Sequence, residues 1–168
     1  MMKKLLICRH AKSSWEHAWS TDHERPLAYR GLKDAPLMAK RLKTNHIYPG
    51  KITSSDASRA LQTAKIYLEV FSKEDVIFEQ TPELYHASVK DILQVIHKTS
   101  DQVNSLFIFG HNPGFTDLIN HLGESLDNLP TAAIFGFTFS TDRWEQISRR
   151  NASFWLYDFP KNKSTKNS

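Results

Sequence analysis

The sequence predicts an α/β fold, a single domain with a mostly parallel central sheet flanked by helices on both faces. Three observations carry this. Short apolar runs alternate with longer amphipathic segments, the pattern of a sheet covered by helices. The 168 residues suit one domain with a substantial core. No internal repeat or linker divides the chain, so the domain is expected over 1–160, followed by a flexible basic tail over 161–168.

The elements follow in order. Leu5-Leu6-Ile7-Cys8 reads as a buried first strand, and a polar, aromatic-studded stretch through Arg25 fits neither regular structure. Leu32, Ala35, Met38, Ala39 and Leu42 recur at helical spacing, with Pro36 acceptable only if it falls in the first turn. A short strand over Lys51–Ser54 leads into a helix whose apolar stripe is Ala60, Leu61, Ala64, Tyr67, Leu68 and Phe71. Ser55 or Asp56 is its expected cap. Val76–Phe78 is a third strand. Ser88 and Asp91 have capping-box spacing at the start of a helix carrying Ile92, Leu93, Val95 and Ile96. Leu106–Phe109 is a fourth strand, and Phe115, Leu118, Ile119 and Leu122 mark another helix. The runs Ala132–Ser140 and Phe154–Phe159 close the domain, with a short strand expected around Trp144–Ile147.

The net charge of +4 overstates how basic the body is, because Lys161, Lys163 and Lys166 supply three of those charges. A solvated tail accounts for them, and no nucleic-acid partner is expected. Cys8 is the single cysteine, so no intrachain disulfide can form. The apolar run after Met1–Lys4 stops at Arg9, short of a signal peptide's apolar region, and nothing approaches the ~18 residues of a membrane span. Cytoplasmic residence without a membrane partner is the expectation.

The chemistry gathers at strand ends. Arg9-His10 follows the first strand, Gly110-His111 the fourth, and Arg59 opens the helix after the second. Ligands of open parallel sheets bind at the carboxyl ends of strands. If these three strands are neighbours, two imidazoles and two guanidiniums share one cleft. That set suits phosphoryl transfer, in which positioning and charge stabilisation dominate. Arginine donates in pairs to phosphate oxygens, and a neutral imidazole can attack phosphorus. Neighbouring arginines further disfavour the charged form of His10. His111 stays protonated only if bound phosphate compensates it.

Arg9-His10-Ala11-Lys12-Ser13-Ser14-Trp15 resembles the motif of the histidine-phosphatase (phosphoglycerate-mutase-like) superfamily, and Ala-Lys-Ser is similar to its compact SixA-type phosphohistidine phosphatase branch. The resemblance continues at Arg25-Pro26-Leu27, Arg30-Gly31, Ser54 through Ala64, Glu83-Leu84-Tyr85 and Gly110 through Gly114. It implies that fold, with His10 as nucleophile and Arg9, Arg59 and His111 as the phosphate pocket. Ser13 stands where many members carry Ser or Thr near the pocket. Members that act on alkyl phosphates usually carry an acid shortly after the Leu-x step. Here His86 follows Leu84-Tyr85 and Glu83 precedes it. A weak or absent acid favours labile phosphoramidates, or esters with easy leaving groups, since an alkoxide needs protonation to leave.

His86 is thus a second candidate site residue and Glu83 a surface one. His17, His23, His46, His97 and His121 are expected to be structural or solvent-facing. Trp15 and Trp19 either wall the cleft or pack under a loop, and Trp144 and Trp155 belong to the core or a sheet face. Cys8 is a buried strand thiol; residue 14 is serine, so no Cys-x5-Arg loop follows it. His-Glu-x-x-His, Asp-x-Asp, Walker and Gly-x-Gly-x-x-Gly patterns are absent, and a reaction without metal or cofactor is expected. The expected substrate is a phosphorylated protein, such as a histidine-phosphotransfer domain. The rivals are a small phosphorylated metabolite on the same core and a non-catalytic phosphoprotein-binding module.

Overall fold

The computed structural model describes residues 2–16 and 21–162. The sequence expectations for His17, Trp19, Lys163 and Lys166 fall outside these residues. The strands are β1 (Lys3–Arg9), β2 (Lys51–Ser55), β3 (Ile77–Thr81), β4 (Ser105–Gly110), β5 (Ile134–Phe139) and β6 (Ala152–Asp158). The helices are α1 (Tyr29–Thr44), α2 (Ser58–Val70), α3 (Val89–His97) and α4 (Gly114–His121). They form one six-stranded sheet in the order β3-β2-β4-β1-β5-β6. The pairs β3–β2, β2–β4 and β4–β1 are parallel, whereas β1–β5 and β5–β6 are antiparallel.

Alternation along β1 explains why both faces are covered. Leu5 and Ile7 join the cluster with Ile92, Ile96, Phe115 and Leu118 of α3 and α4. Leu6 and Cys8 face the other way, against Ala35, Met38, Ala64 and Tyr67 of α1 and α2. A strand buried on both sides reads as a continuous apolar run, which is why β1 and β4 are visible in the sequence. The Cys8 thiol is buried as expected, and burial pushes its pKa up.

Several local expectations change. Helix α1 begins at Tyr29, so Pro36 lies in its interior rather than its first turn. There it cannot donate to the Leu32 carbonyl, and the packed face of the helix offsets that loss. Leu32 is exposed, and Gly31 takes its place on the buried stripe. The N-cap of α2 is Ala57 with no side-chain cap bond. Ser55 and Asp56 are engaged elsewhere, as described below. Trp144–Gln146 is a 3-10 turn, not a strand, and Trp144 is fully buried with its indole N–H donating to Val103 O at 2.7 Å. The capping box of α3 has both its bonds, Asp91 N to Ser88 Oγ and Ser88 N to Asp91 Oδ2, each 3.2 Å. Beyond β6 the chain is still held at Asn162, whose amide donates to Asp158 Oδ1 at 3.1 Å.

The loop leaving β1 is clamped from two sides. Ser14 N donates to Pro26 O and Ala28 N to Lys12 O, both at 2.8 Å. On the other side, Ala11 N donates to Thr63 Oγ1 at 3.1 Å, and that hydroxyl donates to Arg59 O at 2.8 Å. Gly31 is required by this clamp, because a Cβ there would stand 2.2 Å from Lys12 O. Alanine would gain helix propensity, but the backbone contact outweighs it, and Gly31→Ala is expected to lose about 1–2 kcal/mol net. A lowered urea midpoint checks this; an unchanged or raised one contradicts it.

Candidate active site

Register places the site. Arg9 pairs with Gly110 at the end of the β1–β4 ladder, so His10 and His111 leave the sheet side by side. Their ring centroids are 5.2 Å apart. On the other side of β4, Ser54 pairs with Phe109, which brings Ser55 alongside the same strand end. Ser55 Oγ lies 2.8 Å from His111 Nε2. One residue into α2, Arg59 enters the cluster with only 4% of its surface exposed. The loop before β5 closes the far side: Arg9 Nη1 and the Asn112 side-chain amide both donate to Leu129 O at 2.9 Å.

The His10 ring is oriented by its own loop. Nδ1 lies 2.7 Å from Ala11 O, and a carbonyl can only accept. The proton therefore resides on Nδ1, and Nε2 keeps its lone pair. The ring is held neutral as well, with its pKa lowered to about 3. Burial is the main cause; the Ala11 contact opposes it, and Arg9, Arg59 and Arg25 add to it. The arginines named in the sequence reasoning thus contribute, but desolvation outweighs them. His111 is lowered to about 2, again chiefly by burial, with smaller effects from His10, Arg59 and His86. Arg9 is lowered too, by burial and then by the neighbouring Arg59.

Three buried nitrogens in this cluster have no hydrogen-bond partner: Arg9 Nε, Arg59 Nε and His111 Nδ1. Among the described residues, the one other orphaned buried side-chain atom is His97 Nε2. Buried polar atoms are normally satisfied, so three unsatisfied ones in one cluster single it out as a candidate binding site. Arg59 is buried and Arg9 half-buried near it, a pair of positive charges that suits an anion.

Asp22, in the short 3-10 turn Asp22–Glu24, is the residue that sequence reasoning missed. Its carboxylate accepts from Tyr85 Oη at 2.6 Å, Arg59 Nη2 at 3.1 Å and Arg25 Nε at 3.2 Å, and its carbonyl from Arg59 Nη1 at 2.6 Å. The Tyr85 hydrogen bond, followed by Arg59, holds its carboxyl well below the usual range, so it stays ionised. Arg25 also donates to Ser13 Oγ at 2.7 Å and lies 3.5 Å over the Trp15 ring. The local signal was Arg25-Pro26-Leu27, three residues after Asp22, but the hub joins partners up to 63 positions apart.

The other candidates separate. Ser13 is buried and reaches the cluster through Arg25. His86 sits on the rim, 66% exposed, with Nε2 3.8 Å from Asp22 Oδ2 and its ring 3.9 Å from that of Tyr85. Glu83 pairs with Lys98 at 3.6 Å and does not join the cluster. His23 is half-buried, bonded to Asp56 at 2.9 Å and edge-on to Tyr85. Trp15 is 70% exposed, backing Arg25 rather than packing under a loop. Beside His111 a cleft of about 260 Å³ opens between His86, Ser88, Asn112 and Asp117. Among the described residues, no group of three or more His, Cys, Asp or Glu is arranged to hold a metal ion. No described helix is long and apolar enough to cross a membrane.

The strand-end histidines, buried arginines and six-stranded sheet define a protein class that comparison makes specific. The family model of the histidine phosphatase superfamily (branch 1) matches residues 5–107, and the chain belongs to that superfamily. A Mycobacterium leprae protein described only as uncharacterised is 28% identical over 165 residues, covering 91% of this chain and 99% of its own. Among solved structures, the putative phosphohistidine phosphatase SixA from Agrobacterium tumefaciens superposes with a TM-score of 0.78 at 22% identity, over 94% of this chain and 98% of that one. The protein histidine phosphatase SixA complexed with tungstate gives the same TM-score at 24% identity, over 95% and 98%.

The two lowered histidines make stability depend on pH. Both rings are neutral in the fold, whereas in the unfolded chain they titrate near 6.5. Protons therefore bind the unfolded state first, so stability is full above pH 6.5 and falls as pH drops towards 3. Each ring contributes a slope of about 1.4 kcal/mol per pH unit in that window. His10→Gln should remove about half of the slope these two rings contribute between pH 6 and 4, measured by urea unfolding. An unaltered slope would show that His10 is not held neutral.

Proposed function

We propose that this protein is a phosphatase that removes the phosphoryl group from phosphohistidine on a protein substrate, through a phosphohistidine intermediate on His10. The observation that carries the reading is the neutral Nε2 lone pair of His10 amid three buried nitrogens without partners. In the first step Nε2 attacks phosphorus and the P–N bond to the substrate imidazole breaks. That imidazole leaves with a proton from solvent. Water then attacks the phosphorus on His10, and inorganic phosphate departs as Nε2 regains its lone pair. Arg9, Arg59 and His111 hold the oxygens on which charge develops in both steps.

Two features support the reading, the first favouring phosphoramidates over alkyl phosphates and the second a protein substrate. Glu83 is paired with Lys98, and Asp22 is held ionised, so neither carboxyl supplies a proton to a leaving alkoxide. The exposed rim of His86 and Trp15 leaves room for a side chain presented by another protein. A small phosphorylated metabolite is the second reading, and the cleft beside His111 favours it. The guanidiniums supply the positive charge that a metal would otherwise bring, so turnover is expected to survive a chelator.

His10→Ala should lose all measurable turnover while keeping the wild-type circular dichroism. Arg59→Ala should lose about 10²–10³-fold in kcat, as when one oxyanion donor is removed. Wild type quenched during turnover should carry an acid-labile, base-stable phosphoryl group that is missing from His10→Ala. Assay of a phosphohistidine protein beside sugar and nucleotide phosphates, with chelator present, separates the two substrate readings. Turnover by His10→Ala contradicts the covalent step.

A further inference from the structure

We propose that Ser55 fixes the tautomer of His111, so that His111 presents a neutral Nδ1–H to the phosphoryl oxygens and donates no proton to the leaving group. This rests on the phosphatase reading and narrows its substrates.

Proton counting leads to it. Ser55 is completely buried at the end of β2, and among the described residues its hydroxyl oxygen has two partners. Ala57 N–H donates to it at 3.2 Å, which uses an oxygen lone pair. His111 Nε2 is the other partner, at 2.8 Å. A serine hydroxyl has one hydrogen, and Nε2 is the acceptor available to it. Nε2 therefore receives that hydrogen, and the ring proton sits on Nδ1.

The opposite arrangement fails on two counts. If Nε2–H donated to Ser55, the serine hydrogen would be buried without an acceptor. The Nδ1 lone pair would also face the oxygens of the anion. The arrangement with Nδ1–H instead gives the orphaned Nδ1 a donor role towards that anion. A cationic ring is disfavoured by its surroundings. His10, Arg59 and His86 oppose protonation of His111, Asp22 alone favours it, and burial exceeds them all. Tyr85 faces the ring edge at a centroid distance of 5.5 Å.

A neutral ring with Nε2 occupied by the serine hydroxyl has no acidic proton to give. Phosphoramidates, and esters whose leaving groups are stable as anions, need no proton from His111, whereas a simple alkyl phosphate would need one from another group. Ser55 acts through His111 and is a positioning residue, and its position explains why it does not cap α2 as expected.

The test is ¹⁵N–¹H correlation NMR of the histidine rings in the full chain at neutral pH, free and with inorganic phosphate. His111 should show a pyrrole-type Nδ1 and a pyridine-type Nε2 in both states. Ser55→Ala should shift His111 towards the other tautomer or a mixture and lower kcat by about 10- to 100-fold, the usual cost of losing an orienting partner. Ser55→Thr, which keeps the hydroxyl, should restore both the spectrum and kcat. A protonated Nε2 in wild type, or an unchanged tautomer in Ser55→Ala, overturns the proposal. Should Ser55→Ala fail to fold, the wild-type spectrum and Ser55→Thr still decide it. The spectra of free enzyme involve no turnover, so failure of the phosphatase reading would show separately, as activity persisting without His10.

Discussion

Strand β4 lies between β1 and β2 in a parallel register that the rest of the site inherits. With Arg9 opposite Gly110 and Ser54 opposite Phe109, three chain segments reach the carboxyl edge of the sheet at one level. His10 and His111 step off together, and Ser55 stands beside them. A slip of one residue would send Leu5 and Ile7 to the face that now takes Leu6 and Cys8, which both apolar clusters oppose. The core thus specifies the register, and the register specifies the site.

The same placement sets the electrostatics. Burial holds both rings neutral, and it holds two guanidiniums close enough for Arg59 to depress Arg9. Three buried nitrogens of the cluster, Arg9 Nε, Arg59 Nε and His111 Nδ1, have no hydrogen-bond partner. Asp22 answers part of this charge from the rim by binding Arg25, Arg59 and Tyr85 together. On the proposed function, charge developing on a phosphoryl group would meet groups that this packing already fixes in place.

What the sequence disclosed and what it hid follow the range of the interactions. Strands β1 and β4 are short apolar runs buried on both faces, so each was legible from its own residues. His10, Arg59 and His111 were legible because each stands within a few residues of a readable strand end. The Asp22 hub was not, since it occupies a polar stretch without periodicity and its partners are distant in the chain. Pro36 in the interior of α1 and Trp144 in a turn show tertiary packing overriding local preference. The diversion of Ser55 and Asp56 from capping α2 has a related cause, because His111 and His23 engage those side chains.

The most direct measurement is a crystal structure of the protein grown with tungstate. The account predicts one tetrahedral oxyanion with oxygens within hydrogen-bonding distance of Arg9 Nε, Arg59 Nε and His111 Nδ1, and His10 Nε2 directed at its central atom. An oxyanion bound elsewhere, or the three nitrogens still unpartnered at saturating tungstate, would contradict it.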